Sequence, residues 1–261
     1  MNADYRAVNR RAWAYLAHHN CDSSQPYGPD EFAYAQDWLD REGWIPWDDV
    51  ASVLCLAASG GQQAPLFAAL DRYVTSVDIS AEQLQLDRAV AERHGLQIEC
   101  LEADMLDLSP LYGYEFDLVY QAVSACYIPD PRRLYQEVFR VLRPGGYYRV
   151  EHWNPVHMQL SQTAPWDGEA YRVARPQQAD HPVPWDMWNE SEDAPEPAMT
   201  CWHYIHSLNT LIGGLCEAGF SIRHFAETRP SDAAAEPGTD EHLAAYLPPF
   251  FTLFAQRESA T

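Results

Sequence analysis

The sequence contains no lysine. All 17 basic residues among its 261 are arginines, they face 38 acidic residues, and the formal net charge is −21. Schiff-base chemistry on a lysine amine is therefore excluded. So acidic a chain lacks the basic surface that neutralises phosphates, and we expect no nucleic-acid partner. The acidity is typical of a solvated surface; attraction of a cationic substrate is the alternative interpretation.

Long apolar runs and paired cysteines are also missing. No run of 18 apolar residues occurs, so we expect no membrane partner. The N-terminal residues lack the basic and then apolar order of a secretion signal. The six cysteines include no C-x-x-C pair, which argues against disulfides and against a metal cluster. We expect a cytoplasmic protein with no metal site, and the sequence indicates no particular oligomeric state.

From residue 50 onward, strand-like and helix-like segments alternate. This regular alternation predicts a parallel, doubly wound α/β sheet of the Rossmann type. Arg143-Pro-Gly-Gly146 is a typical helix stop. The predicted strands cover 53–57, 73–78, 97–101, 116–121 and 147–152, and the predicted helices between them cover 63–70, 81–94 and 131–142.

The remaining sequence divides around this core, which we place at 50–152. Residues 1–49 form an N-terminal helical cap. Residues 153–204 are rich in Trp, His and Pro, which favours a substrate-binding lid over a disordered linker. Residues 205–261 complete the core. Outside the core we predict helices over 3–19, 30–41 and 206–218, strands over 220–226 and 250–256, and a loop over 232–242.

Candidate ligand-binding residues follow the first three strands. In an open parallel sheet, ligands bind beyond the carboxyl ends of the strands. The small residues Ala57-Ala-Ser-Gly-Gly61 allow a close backbone approach after the first strand, and Asp78 ends the second with a carboxylate suited to ribose hydroxyls. Asp104 and Met105 follow the third strand and offer a carboxylate and a thioether to an adenine.

The three-glycine fingerprint of dinucleotide-binding proteins is absent. S-adenosylmethionine carries no phosphate, and a looser glycine turn is enough to bind it. Further motifs then occur in a fixed order along the chain: Val53–Gly61, Val77–Ser80, Glu102–Met105, Phe116–Tyr120, Tyr127–Asp130, Glu137–Gly146 and Glu217–Phe220. With these motifs the chain resembles the class I S-adenosylmethionine-dependent methyltransferases, in particular the branch of the quinone-biosynthesis C-methyltransferases.

The resemblance implies a seven-stranded sheet whose last strand is antiparallel, with S-adenosylmethionine as cofactor and S-adenosylhomocysteine as product. It also assigns roles to residues of the sheet edge. Ala57, Ser59 and Gly61 would surround the methionine portion of the cofactor, with Gln121 near the same end; Asp78 would bind the ribose, Ile79 and Met105 would enclose the adenine, Asp104 would hold its amino group, and Gln83 would take an adenine-side position.

The first motif departs from the family pattern. Cys55 stands where the family has an acidic residue, and Ala57 and Ser59 replace its first two glycines. Because Ala and Ser cost about 1 kcal/mol at positive φ, we expect a differently shaped turn in which Gly60 and Gly61 take the tight bend. Gly60 therefore joins the predicted cofactor residues.

Methyl transfer benefits from a general base when the acceptor carries a proton. His152, directly after the fifth predicted strand, is our first candidate, with Tyr127 and His157 next and His203 and His206 weaker. A hydrogen-bonded core histidine and a packed tyrosine are the structural alternatives. The insertion's tryptophans (Trp153, Trp166, Trp185, Trp188 and Trp202) would cage an acceptor or form lid core.

The predicted function is methyl transfer from S-adenosylmethionine to a small molecule, with an O, N, S or C acceptor atom left open. An amine or amino acid acceptor is one option, suggested by the acidity. Two other classes remain: an S-adenosylmethionine-binding protein without catalysis, suggested by the altered first motif, and a nicotinamide-dependent oxidoreductase, suggested by the sheet and Asp78.

Overall fold

A computed structural model describes residues 4–19, 21–57, 59–160, 166–187, 199–227 and 232–259. Its strands are β1 Ser52–Leu56, β2 Tyr73–Asp78, β3 Ile98–Glu102, β4 Phe116–Gln121, β5 Leu142–Trp153, β6 Gln178–Met187, β7 Met199–Ile205, β8 Phe220–Glu227 and β9 Phe250–Arg257. Seven of them form one sheet in the order β3-β2-β1-β4-β5-β9-β8. β1 to β5 pair in parallel, and β9 lies antiparallel between β5 and β8. The predicted fold class, with its antiparallel last strand, is confirmed.

Helices pack on this sheet because its strands are apolar on both faces. Leu54 and Leu56 of β1 enter the core on one face, whereas Val53 and Cys55 enter the core on the other. The α-helices are α1 Tyr5–His18, α2 Pro29–Ala33, α3 Ala35–Leu39, α4 Gln63–Ala69, α5 Ala81–His94, α6 Pro131–Val141, α7 Pro155–Met158, α8 Gly214–Glu217 and α9 Asp240–Tyr246. α6 and α8 cover the first core, and α3 and α4 cover the second.

Within the core the predicted elements agree with the structure to within about one residue, except at β5. The predicted strand over 147–152 is the second half of β5, which begins at Leu142. α6 ends at Val141, just before the predicted helix stop at 143–146. The pairing with β4 then jumps from Leu142 to Tyr147, so the residues of the stop form a bulge within β5. An added Cβ at Gly146 would lie 3.1 Å from the carbonyl oxygens of Phe116 and Asp117, which explains the glycine.

The N-terminal cap contains one long helix, as predicted, and two short ones where a single helix was expected. α1 begins after Asp4, whose side chain accepts the N–H of Arg6. The helix predicted over 30–41 is interrupted at Tyr34 and ends at Leu39. The carboxylate of Asp40 then accepts the N–H groups of Trp44 and Ile45, which turns the chain toward β1.

Three differences lie in the C-terminal half. Instead of one helix over 206–218, a π-helical turn at Asn209–Gly213 leads into α8. The predicted loop over 232–242 includes the start of α9, which Thr239 caps by accepting the N–H of His242. In the insertion, β6 and β7 form a separate two-stranded sheet. Among the described helices none has the length and apolar character that crossing a bilayer requires.

Candidate active site

A narrow cleft opens between α1 and the carboxyl ends of β1, β2 and β3. Parallel strands end at one edge of a sheet, so residues from distant parts of the chain meet there. α1 supplies the opposite wall of the cleft. The lining residues are Tyr5, Asn9, Trp13, Ala57, Ser59, Val77, Asp78, Ile79, Ala103, Asp104, Met105, Ser124, Tyr127 and Ile128.

Asp78 occupies the end of β2, as the sequence analysis expected. One of its oxygens accepts the backbone N–H of Ser80 at 2.7 Å. Burial raises the pKa of Asp78 to about 7, although the backbone N–H groups of Ser80 and Ile79 act in the opposite direction. A ligand hydroxyl that donates to this carboxylate favours its charged form.

Asp104 also lines the cleft, but α1 already engages it. Its Oδ2 accepts the Tyr5 hydroxyl at 2.6 Å and the Arg6 Nε at 2.5 Å. Its Oδ1 accepts the N–H of Leu106 at 2.9 Å. Because a carboxylate accepts about four hydrogen bonds, one position is left for an adenine amino group.

The residues assigned to the adenine side, together with Gln121, which was assigned to the methionine end, divide into two groups. Ile79 and Met105 both line the cleft, in the arrangement that the resemblance implies. Gln83 and Gln121 are buried behind the cleft, 1% and 0% exposed. Gln121 accepts the Tyr148 hydroxyl and donates to Ser124 at 2.8 Å, so it positions a cleft residue and does not face the cleft itself.

The loop after β1 keeps left-handed backbone at the positions where glycine is replaced. Ala57 has φ of 44° and Ser59 has φ of 54°, so the expected change of turn shape does not occur at these residues. Gly61 has φ of 79°, while Gly60 takes no positive φ. Pro26 and Tyr27, which precede α2, pack on this loop. An added Cβ at Gly61 would lie 2.8 Å from Pro26, and Tyr27 donates its N–H to the Gly61 carbonyl at 3.0 Å.

Of the three predicted catalytic residues, Tyr127 lines the cleft, and burial raises its pKa. His152 is 2% exposed, and its Nε2 lies 3.2 Å from the Tyr135 hydroxyl. Burial lowers the pKa of His152 to about 3. His157 accepts the Trp153 Nε1 at 3.2 Å, and burial lowers its pKa. These contacts favour the structural alternative for both histidines, and their catalytic role stays a prediction.

The weaker candidates are core residues too. His203 is 1% exposed and lies with its ring 4.9 Å from that of Trp185. His206 is 2% exposed and donates to the Ile128 carbonyl at 2.9 Å. Trp153 and Trp185 pack edge to face in a cluster that also holds Tyr127. Trp166 packs on Tyr171, Trp202 is tied to α1 through its backbone, and Trp188 lies outside the described residues.

Sequence reasoning missed the polar residues that α1 presents to the cleft. Tyr5, Asn9 and Trp13 are spaced four apart and share one helix face. Asn9 donates to the carbonyls of Tyr127 and Trp202 at 3.0 and 3.1 Å, and accepts the Trp202 N–H at 2.7 Å. A buried Asn within an apolar stripe was the available signal.

A second cavity, of about 740 Å³, lies on the α3–α4 side of the same sheet edge. Its walls come from the cap, the start of α4 and the ends of β4, β5, β8 and β9: Tyr27, Trp38, Arg41, Glu42, Trp44, Gln63, Tyr120, Ala122, Arg149, Glu151, Ala226, Glu227 and Thr252. The sequence analysis assigned none of these residues a role in binding the acceptor.

Arg149 is the buried charge of this second cavity, 8% exposed. Its guanidinium carbon lies 4.7 Å from the ring centroid of Tyr120. Glu151 and Glu42 approach it at 3.6 and 3.9 Å, distances longer than a hydrogen bond. Arg149 Nε and Gln63 Oε1 have no hydrogen-bond partner among the residues described.

Comparisons with known proteins agree with this geometry. Residues 54–150 match a family described as a methyltransferase domain. The chain is 31% identical over 193 residues to the uncharacterized methyltransferase YbaJ of Bacillus subtilis, covering 71% of this chain and 72% of that one. It is 29% identical over 233 residues to the trans-aconitate 2-methyltransferase of Azoarcus sp., covering 82% and 85%. A solved S-adenosylmethionine-dependent methyltransferase from Mesorhizobium loti shares the fold, with a TM-score of 0.60 at 22% identity over 87% and 100% of the two chains.

Proposed function

Because the chain belongs to the class I S-adenosylmethionine-dependent methyltransferases, we propose that its cofactor binds in the cleft under α1, with Asp78 on the ribose. The observation that carries this proposal is the arrangement at the carboxyl edge: a partly buried carboxylate ends β2, and two apolar residues, Ile79 and Met105, line the same cleft. When bound, S-adenosylmethionine supplies an electrophilic methyl group. A closer relation to the quinone-biosynthesis C-methyltransferases stays a prediction.

The residues of this edge fit the cofactor's polar groups. Asp78 accepts hydroxyl hydrogen bonds, and Asp104 has one remaining position for an amino group. Ala57 and Ser59 line the cleft on the loop side, where their small side chains permit a close backbone approach. The chain's own contribution to methyl transfer is therefore to hold and orient the cofactor against an acceptor.

Titration of S-adenosylhomocysteine into the protein tests this assignment. We expect Asp78→Asn to weaken binding by about tenfold to a hundredfold, since a hydrogen bond to a charged group contributes about 1.5–3 kcal/mol. Asp71→Asn is the matched control, because Asp71 is exposed at the opposite end of β2, and we expect unchanged affinity. Equal binding by wild type and Asp78→Asn would place the ribose elsewhere.

For the acceptor, we propose the second cavity. It adjoins the cofactor loop through Gln63 and reaches the end of β4 at Ala122. Its lining brings the Arg149 guanidinium together with the Gln63 amide and the Glu42 and Glu151 carboxylates, which fit a small polar molecule that both accepts and donates hydrogen bonds. The pocket around His152 and His206 is far smaller than this second cavity.

The insertion keeps its proposed role as a lid. Its strand β7 holds α1 against the cleft, because Asn9 of α1 exchanges hydrogen bonds with the backbone of Trp202. Asn9 also donates to the Tyr127 carbonyl, which lies in the loop after β4. We also propose a cytoplasmic location, which the six free cysteines support.

Sustained release of S-adenosylhomocysteine from S-adenosylmethionine tests catalysis, with trans-aconitate as the first defined acceptor and a small-molecule extract as the second. We expect turnover with at least one of the two. Arg149→Lys, which keeps the charge and loses the planar fork, should raise KM for the acceptor and leave S-adenosylhomocysteine binding unchanged. Binding of the cofactor without turnover in either case would favour the non-catalytic binding protein.

A further inference from the structure

The loop after β1 is held by a helix that follows the next strand. β1 itself carries no carboxylate, and Cys55 stands at the position where the family resemblance implies an acidic residue. The loop amides are paired nonetheless. The N–H of Gly60 donates to Gln83 Oε1 at 2.7 Å, and the N–H of Gly61 donates to Asp87 Oδ1 at 2.7 Å. Both acceptors lie on α5.

Asp87 lies close to Cys55, the residue of β1 where the resemblance implies an acid. It is 2% exposed, and its second oxygen accepts the Ser76 hydroxyl at 2.7 Å. Ser76 lies directly opposite Cys55 in the pairing of β1 and β2. The carboxylate therefore reaches the space next to Cys55 from α5 rather than from β1.

From this placement we infer that Asp87 supplies the loop anchor that β1 lacks, and that Gln83 ties the same loop to the N-terminal cap. Both are positioning residues, since neither lines the cofactor cleft. The inference rests on the proposed function, in which this loop surrounds the methionine portion of S-adenosylmethionine.

The loop needs an external anchor because its backbone is strained. Ala57 and Ser59 both have positive φ, a conformation that is unfavourable for residues other than glycine. Two hydrogen bonds from buried acceptors offset such a cost. The packing of α5 on the loop is also close: an added Cβ at Gly60 would lie 2.1 Å from the Gln83 carbonyl oxygen.

Gln83 extends this connection to the cap. Its Nε2 donates to the Trp13 carbonyl at 3.0 Å and to the Ser24 hydroxyl at 2.7 Å. One buried side chain thus joins α1, the segment before α2 and the loop. Docking of the cap and ordering of the loop are therefore coupled, and the ribose residue Asp78, three residues before α5, belongs to the same rigid unit.

Transfer of the carboxylate back to β1 tests the inference. We expect Asp87→Ala to lower S-adenosylhomocysteine affinity by at least tenfold and to speed hydrogen exchange at the Gly60 and Gly61 amides. The double variant Cys55→Asp/Asp87→Ala should recover most of the affinity for S-adenosylhomocysteine and most of the protection of the two amides. Glu92→Gln, on the exposed side of α5, is the matched control and should change neither measurement.

Several outcomes would contradict the inference. A folded Asp87→Ala variant with wild-type affinity and exchange would show that the loop needs no anchor from α5. A double variant no better than Asp87→Ala would show a general packing role for Asp87. Should the alanine variant not fold, Asp87→Leu keeps the branched shape of the side chain without an acceptor, and Asp87→Asn keeps an acceptor for Gly61; the inference predicts rapid loop exchange in the first and slow exchange in the second.

Amide exchange also separates this inference from the proposed function. If the wild type fails to bind S-adenosylhomocysteine, the proposed cofactor site is wrong. The exchange rates at Gly60 and Gly61 still report, without any ligand, whether Asp87 holds the loop and whether an acid at position 55 replaces it.

Discussion

Two carboxylates, the partly buried Asp78 and the fully buried Asp87, destabilise the protein at neutral pH when no cofactor is bound. Burial raises their pKa values to about 7 and about 6, above the value of about 3.9 for an unfolded chain. Between about pH 4 and pH 7 the native protein thus retains protons that the unfolded chain has released. The contribution of both groups to the free energy of unfolding therefore falls as the pH rises through this window.

Asp78→Asn should consequently stabilise the protein while it weakens cofactor binding. At about pH 8 we expect the Tm of the ligand-free variant to exceed that of wild type by a few degrees, because a buried charge is removed. At about pH 4 the difference should largely disappear, since Asp78 is then protonated in the native state and about half protonated in the unfolded chain. Thermal scans at both pH values check this, with Asp71→Asn as control. A variant less stable than wild type at pH 8 would show that the Ser80 hydrogen bond outweighs burial.

His152 shows the opposite linkage. Burial lowers its pKa to about 3, below the ordinary value of about 6.5, so its contribution to stability is complete above pH 6.5 and is lost as the pH falls below it. We expect His152→Gln to lose less stability than wild type between about pH 7 and pH 5.

The same variant tests the predicted general base. A core histidine that stays neutral predicts that folded His152→Gln retains methyl transfer within about threefold. Initial rates with whichever acceptor supports turnover check this against the fraction of folded protein. A hundredfold fall in kcat at unchanged Tm would instead establish His152 as the base.

At the scale of elements, α1 completes the cleft through contacts that span most of the chain. Asn9 reaches Tyr127 and Trp202, and Tyr5 and Arg6 reach Asp104. The periodic apolar residues correctly predicted a helix there, since periodicity is local information. The partners of its polar face are distant in sequence, so no local pattern could identify them.

Asn9→Ala should loosen this helix. Three hydrogen bonds of a 3% exposed side chain are lost, and we expect docking of α1 to weaken by about 2–3 kcal/mol. Faster hydrogen exchange over 5–18 and a several-fold weaker affinity for S-adenosylhomocysteine would follow. Arg11→Ala is the control, because Arg11 is exposed and bonds within α1 to the Ala7 carbonyl. Unchanged exchange in Asn9→Ala would show that packing alone holds the helix.

Elements outside the core were predicted less well, for identifiable reasons. The spacing of apolar residues over 209–213 is compatible with an α-helix, and the segment differs from one only in its i→i+5 backbone hydrogen bonds. The apolar spacing does not reveal this difference. α9 begins with Thr239, Asp240 and Glu241, a start signal that the neighbouring Ala and Pro residues obscured. In the cap, a break at Tyr34 depends on how the chain packs onto α4.

At the scale of the molecule, the net charge of −21 means that folding brings like charges together. Self-repulsion lowers the free energy of unfolding, and salt screens it. We expect the Tm to rise by several degrees between about 0.02 M and about 0.3 M NaCl. Sucrose at equal osmolality is the control for non-ionic effects. A Tm that falls with salt would mean that specific ion pairs outweigh the net repulsion.

The sequence by itself determined the sheet and the edge where the site lies. Strand and helix periodicities are local, and parallel strands necessarily end at one edge, so the order of the motifs along the chain was enough to group Asp78, Asp104 and Met105. Tertiary structure decided how these groups are paired and buried. Arg6 and Tyr5 engage Asp104 from about 98 and 99 residues away, α5 holds the loop that β1 does not, and burial keeps His152 neutral. Such outcomes depend on distant neighbours and on desolvation, which a local pattern does not contain.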